Sequence, residues 1–146
     1  MNNKSPVIVV DADAIVAQAH PQDANHKKAL EEVRALKDLN AQIIYPSTAI
    51  CEAVTVLQRK LKSSATAYGT AVVFTDPNLD VVEINQETIR RAVNHFSPTT
   101  SKKNTLFDCI VLDTAEKYRA DAIFSFDHFY EKRGFKLAGD LKKVSR

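Results

Sequence analysis

Short apolar runs alternate in this chain with stretches of helical periodicity, and the runs are separated by more than hairpin turns. The strand-like runs are "VIVV" at Val7 to Val10, "AQIIY", "LDVVEI", "AIFSF" and a short fifth, "FKLA", at Phe135 to Ala138. Such spacing implies crossover connections and a mostly parallel sheet covered by helices on both faces. The expected architecture is α/β, a three-layer sandwich forming a single domain over residues 1–146. A composition of 45% hydrophobic and 26% charged residues is sufficient for one such core.

The intervening stretches carry i, i+3, i+4 stripes. "AIVAQA" opens a short helix ended by His20-Pro21. Asp23 caps a helix with Ala29, Leu30, Val33 and Leu36 inward. Ile50, Ala53, Val54, Leu57 and Leu61 mark a helix ending near Ser63, and another spans Ala65 to Phe74. Asn85 caps a helix with Ile89, Ala92, Val93 and Phe96 inward, and Thr105 opens one with Ile110, Val111, Ala115 and Tyr118 inward. A basic tail, "LKKVSR", ends the chain. No apolar run approaches the roughly 18 residues of a membrane span, and "MNNKSP" lacks a signal-peptide core, so a cytoplasmic protein is expected. Two cysteines, Cys51 and Cys109, are too few for a disulfide framework.

The first strand runs directly into Asp11 and Asp13, and acids are seldom buried without a partner. In a parallel sheet, strand C-termini and helix N-termini share one edge, where ligands bind. Asp11 and Asp13 follow strand one and Asp127 follows strand four. Glu52 lies in the first turns of the helix joined to strand two by Pro46 and Ser47, and Asp108 opens the helix that feeds strand four. Each also has a local structural role open to it. Asp108 could complete a capping box with Thr105, Glu52 could oppose the helix dipole, and Asp127 could belong to an Asx turn. Those roles explain each position but not the shared edge, and clustered carboxylates call for a hard divalent cation such as Mg²⁺.

The pieces "VVDADAIV", "PSTAICEAVTVL" and "LFDCIVLDTAEKYRADAIFSFDHFYEKRGFKLA" resemble the PIN-domain nucleases, the family that includes VapC-type ribonuclease toxins. The resemblance implies a five-stranded parallel sheet in the order 3-2-1-4-5, dependence on Mg²⁺ or Mn²⁺, and cleavage of single-stranded RNA. It carries the family's acids onto Asp11, Glu52, Asp108 and Asp127, and its hydroxyl position onto Ser125. It also implies a homodimer and a small antitoxin partner, with no membrane association. Ala12 replaces a frequent Thr and Asp13 stands where Asn or Ser is common, which leaves the role of Asp13 open.

Metal-assisted hydrolysis needs no side-chain nucleophile. Asp11, Asp108 and Asp127 are expected as metal ligands, with Glu52 a fourth ligand or the group orienting water. Setting four of the 18 acids aside leaves 14 against 20 basic residues, a surface able to attract phosphates. Lys102, Lys103, Arg59 and Lys60 are the candidate phosphate contacts, and Phe129 and Tyr130 either stack on bases or pack in the core. Two alternatives stand beside this reading. In a haloacid dehalogenase-like phosphatase, Asp11 would be a covalent nucleophile and Asp13 the general acid. The third is a non-catalytic RNA-binding or protein-binding PIN-like module.

Overall fold

The computed structural model describes residues 4–144; Met1 to Asn3, Ser145 and Arg146 lie outside the described residues. Strands β1 (Val7–Val10), β2 (Gln42–Pro46), β3 (Asp80–Val82) and β4 (Ala122–Phe124) form one parallel sheet in the order β3-β2-β1-β4. β1 is central, and Ile8, Val9 and Val10 have no exposed surface. Alternation along the strand divides them: Ile8 and Val10 pack toward one helical layer and Val9 toward the other. Full burial of each contributes roughly 1.5–3 kcal/mol.

One layer contains α1 (Ala12–Ala19), α2 (His26–Asp38), α3 (Ser47–Thr55) and α4 (Ser64–Val73). The other is built on α6 (Leu106–Lys117), whose Asp108 to Ala115 are all buried because the helix lies between the sheet and α5 (Gln86–Ala92). Burial of Asp113 there is compensated by Arg91, whose Nε lies 3.1 Å from Oδ1. Two short helices, α7 (Phe129–Lys132) and α8 (Ala138–Val144), complete the chain, and α8 takes up the start of the basic tail.

Several expectations change in detail. The fifth strand is a single parallel bridge, Ile123 to Leu137, with Ile123 N–H donating to Lys136 O at 2.9 Å. It lies beside β4 as expected but stops there because α8 begins at Ala138. Asp23 does not cap α2; it accepts the Asn25 N–H in a turn, and Asn25 occupies the cap position. On α2, Leu30 is exposed and Glu32 is buried, because α8 passes over that side. A Cβ added at Gly139 would press on the Glu32 carboxylate, the movable end of that side chain, which would have to shift. Ile89, Val93 and Phe96 face outward, because α5 buries only a narrow strip, Thr88 and Ala92, before a 3₁₀ turn breaks its period. Tyr118, at the end of α6, is also exposed. Finally, α3 does not continue as α-helix to Ser63 but passes into a π-turn, Val56–Lys60, where Leu61 N–H donates to Val56 O at 3.0 Å.

Candidate active site

Asp11 leaves β1 and becomes the N-cap of α1, its backbone N–H still donating to Phe124 O of β4 at 3.0 Å. Its carboxylate is only 4% exposed and accepts three hydrogen bonds. Oδ1 takes the Ala12 N–H at 2.7 Å, and Oδ2 lies 3.0 Å from both the Ser125 and the Tyr130 hydroxyls. Asp13, one residue into the helix, turns back to accept the Phe126 N–H at 2.8 Å on Oδ2. Ser125 Oγ lies 3.1 Å from the same oxygen, so its single hydrogen is contested between Asp11 and Asp13. The other oxygen of Asp13 is buried and has no hydrogen-bond partner among the described residues.

Asp108 is the acidic half of a capping box, its Oδ2 accepting the Thr105 N–H at 2.8 Å while Oδ1 stands 3.4 Å from the Tyr130 hydroxyl. Asp127 forms the Asx turn anticipated for it: Oδ1 accepts the Phe129 N–H at 2.9 Å, and Oδ2 accepts from Asn104 at 3.3 Å. The local roles and the common address therefore coexist. Glu52 is half-buried on α3 and accepts no hydrogen bond among the described residues. All five acids line one cleft of about 400 Å³, together with Lys60, Lys103 and a sixth acid, Asp23, expected from the sequence as a helix cap.

The electrostatics follow from that crowding. Burial, then the charges of Asp13 and Asp108, hold Asp11 well above the usual carboxylate range. Burial raises Asp13 to about 6. Burial with the charges of Asp108 and Asp13 raises Glu52 to about 7, and burial also raises Asp108. The Tyr130 phenol is driven upward by its burial and the adjacent acids, so it remains a donor. Among the described residues, no basic side chain forms an ion pair with any of the five acids.

An all-oxygen set of carboxylates with one orphaned buried oxygen suits a hard divalent cation, and the site has no cysteine or histidine to favour zinc. Among the described residues, no three acids have the spacing that closes directly on an ion. Mg²⁺ tolerates this, since it binds through one or two carboxylates and retains water on its other positions.

The structure sorts the remaining candidates. Lys103 lines the cleft and the adjoining cavity, whereas Arg59 and Lys102 line neither. Ser125 is 2% exposed, and its hydroxyl is engaged with Asp11, Asp13 and the Asp127 N–H. Tyr130 is fully buried and cannot stack on a base. Its contact with two acids was hidden in the sequence, where the available signal was a phenol in place of a plain ring three residues after Asp127; a buried phenol requires a partner. Asn104 and the part played by Asp13 also emerge only from the fold. Both oxygens of Asp11 accept hydrogen bonds, which fixes the carboxylate where it meets the cleft wall.

No curated protein matches this sequence significantly. Among solved structures, VapC20 of Mycobacterium tuberculosis, described as a sarcin–ricin loop cleaving toxin, matches with a TM-score of 0.74 at 17% identity. The match covers 88% of this chain and 95% of that one, a likeness of fold. A family model described as PIN domain matches residues 8–136, a span that includes every acid of the cleft. The chain belongs to the PIN-domain family.

Proposed function

We propose that this chain is a metal-dependent endoribonuclease that hydrolyses RNA phosphodiester bonds, and that it is the cytoplasmic toxin of a toxin–antitoxin pair. The observation that carries the reading is the convergence of six carboxylates, Asp23 among them, from five chain segments on one cleft, with no ion pair to a basic side chain among the described residues. Membership of the PIN family and the fold shared with a toxin described as cleaving the sarcin–ricin loop support it.

Asp11, Asp108, Asp127 and Glu52 would hold Mg²⁺ or Mn²⁺, in part through water. When bound, such an ion lowers the pKa of water and stabilises charge on the phosphoryl and leaving oxygens. The chain's own groups prepare the rest. Backbone donors fix the four aspartates, and the Ser125 and Tyr130 hydroxyls fix Asp11 from the far side. Glu52, raised to about 7 and without a hydrogen bond among the described residues, is the group suited to orient the attacking water and take its proton.

A homodimer and a small antitoxin belong to the same reading. Exposed Tyr68, Val72 and Val73 on α4, and Ile89, Val93 and Phe96 around α5, provide apolar surface for such partners. A strict monomer in light scattering at micromolar concentration would remove the dimer.

The test of the activity is incubation of the purified, partner-free chain with total RNA in Mn²⁺ or in EDTA, followed by mapping of the cut ends. Cleavage is expected in Mn²⁺ alone, and Asp11→Asn and Asp108→Asn should abolish it while circular dichroism is unchanged. Cutting that persists in EDTA, or in either folded variant, refutes the assignment.

A further inference from the structure

An α-helix advances about 100° per residue, so the position that returns to the face of Glu52 two turns later is the seventh along, Arg59. The eighth, Lys60, would lie about 80° away. The cleft is nonetheless lined by Glu52, Val56 and Lys60, a spacing of four and four, and Arg59 is absent from its wall. The reason is the π-turn over Val56–Lys60, in which Leu61 N–H reaches five residues back to Val56 O. A turn closed in that way contains one residue more than an α-turn, and such turns recur at functional sites. The extra residue moves every later side chain back by one position. Lys60 therefore occupies the place that Arg59 would hold on an unbroken helix.

Lys103 stands on the loop before α6 and lines both the acidic cleft and an adjoining cavity of about 630 Å³. The two hollows share Asp13, Asn25, Lys103 and Asp127, so they form one continuous trough with the acids inside it. Both lysines are exposed, and neither is ion-paired to an acid among the described residues. Their ammonium groups are therefore available to a ligand that enters the trough.

We propose that the π-turn selects Lys60 over Arg59 as a substrate contact, and that Lys60 and Lys103 hold the backbone phosphates on either side of the bond to be cut. This rests on the nuclease reading and adds to it the residues that position the strand. A single-stranded RNA laid along the trough presents phosphates at regular intervals, and the one at the acids must be approached without charge repulsion. Two cations flanking the acids meet that need: they attract the neighbouring phosphates and leave the central one to the acid site. Lysine suits the task, because a compact charge on a flexible stem follows a backbone without demanding a fixed bidentate geometry.

The experiment uses the full chain carrying Asp108→Asn, which binds without cutting, and a fluorescent single-stranded RNA in Mg²⁺ over a range of salt. Removing one lysine–phosphate pairing should lessen the slope of log affinity against log salt by about 0.7. Lys60→Gln and Lys103→Gln should each show that change and weaken binding several-fold, and the double variant should show twice the change. Arg59→Gln should leave the slope as it was. In the cutting-competent chain, Lys60→Gln should raise KM far more than it lowers kcat. A slope change in Arg59→Gln with none in Lys60→Gln would overturn the inference while leaving the nuclease reading intact. RNA that fails to bind at all, together with a wild type that does not cut, would overturn both.

Discussion

Asp13→Asn should make the metal-free protein more stable, and the structure gives the size of the gain. Burial lifts the Asp13 carboxyl from 3.8 to about 6, so above that pH the folded state contains a charge that the unfolded chain bears more easily. At 1.36 kcal/mol per unit the difference approaches about 3 kcal/mol. Asparagine retains the acceptor for the Phe126 N–H, and its amide group takes the position of the orphaned oxygen, where it adds no charge. Removing the charge also eases Asp11 and Glu52, both raised in part by Asp13. Incomplete accommodation of the amide reduces the gain, and an increase of about 1–3 kcal/mol is expected, or several degrees in Tm for a chain of this length. The sign with pH follows from proton uptake. Between 3.8 and 6 the folded state binds more protons than the unfolded one, so wild-type stability falls as pH rises through that window. The advantage of the variant should therefore be full at pH 8, shrink between 6 and 4, and vanish below the unfolded value. Thermal melts in EDTA at pH 8, 6 and 4 measure it, and added Mg²⁺ should stabilise the wild type more than the variant. Equal or lower melting of Asp13→Asn at pH 8, or a gain undiminished at pH 4, would refute the reasoning.

Tyr130→Phe keeps the buried ring and removes one donor shared by Asp11 and Asp108. A loss of about 1.5 kcal/mol in stability is expected by denaturant titration, with weaker Mn²⁺ binding by calorimetry. Glu52→Gln should lose turnover while weakening Mn²⁺ binding only in part, whereas Asp11→Asn should lose both; calorimetry beside a cleavage assay separates the two roles. Affinity for Mn²⁺ should tighten from pH 6 to pH 8, because Asp13 near 6 and Glu52 near 7 must shed protons before they can serve the ion. An affinity flat over that range excludes both as groups near the ion. Arg91→Leu should cost about 2–3 kcal/mol by leaving Asp113 buried and unpaired, and pairing it with Asp113→Leu should restore much of that in the double-mutant cycle.

The sheet and the address of the acids were legible because both follow from short-range patterns. Val7 to Val10 is fully apolar and ends in Asp11, and Pro46 passes directly into α3, so the positions of Asp11, Asp13 and Glu52 follow from connectivity alone. Asp108 and Asp127 were legible for a related reason: the turn chemistry that caps a helix or closes an Asx turn also fixes which sheet edge the side chain occupies. What escaped depends on contacts between distant segments. Nothing local to α2 distinguishes Leu30 from Glu32, since α8, about a hundred residues later in the sequence, decides which is covered. No local pattern marks the π-turn, so Arg59 and Lys60 stand as equal candidates in the sequence and only the fold shows which of them lines the cleft. The phenol of Tyr130 reaches two acids from other elements, a relation that no spacing encodes.

The division of labour among the acids follows from their backbone bonds. Each aspartate commits one oxygen to a main-chain N–H: Asp11 to Ala12, Asp13 to Phe126, Asp108 to Thr105 and Asp127 to Phe129. Main-chain donors in turns and helix starts are fixed by the fold, so these four carboxylates have little rotational freedom left; the second oxygens of Asp11, Asp108 and Asp127 meet side-chain donors, and that of Asp13 meets none among the described residues. That is the rigidity a metal-holding group needs, since ligands already in place cost little further ordering entropy on binding. Glu52 differs in every respect: it comes from the middle of a helix, has a longer side chain and accepts no hydrogen bond among the described residues. Its carboxyl is also raised to about 7, by burial and by charges it does not share a bond with. A group that must take a proton near neutral pH and release it again needs that freedom and that affinity. The same crowding that destabilises the empty fold therefore gives Glu52 its basicity, and relieving it at Asp13 should raise stability while lowering the pH at which Glu52 gains its proton.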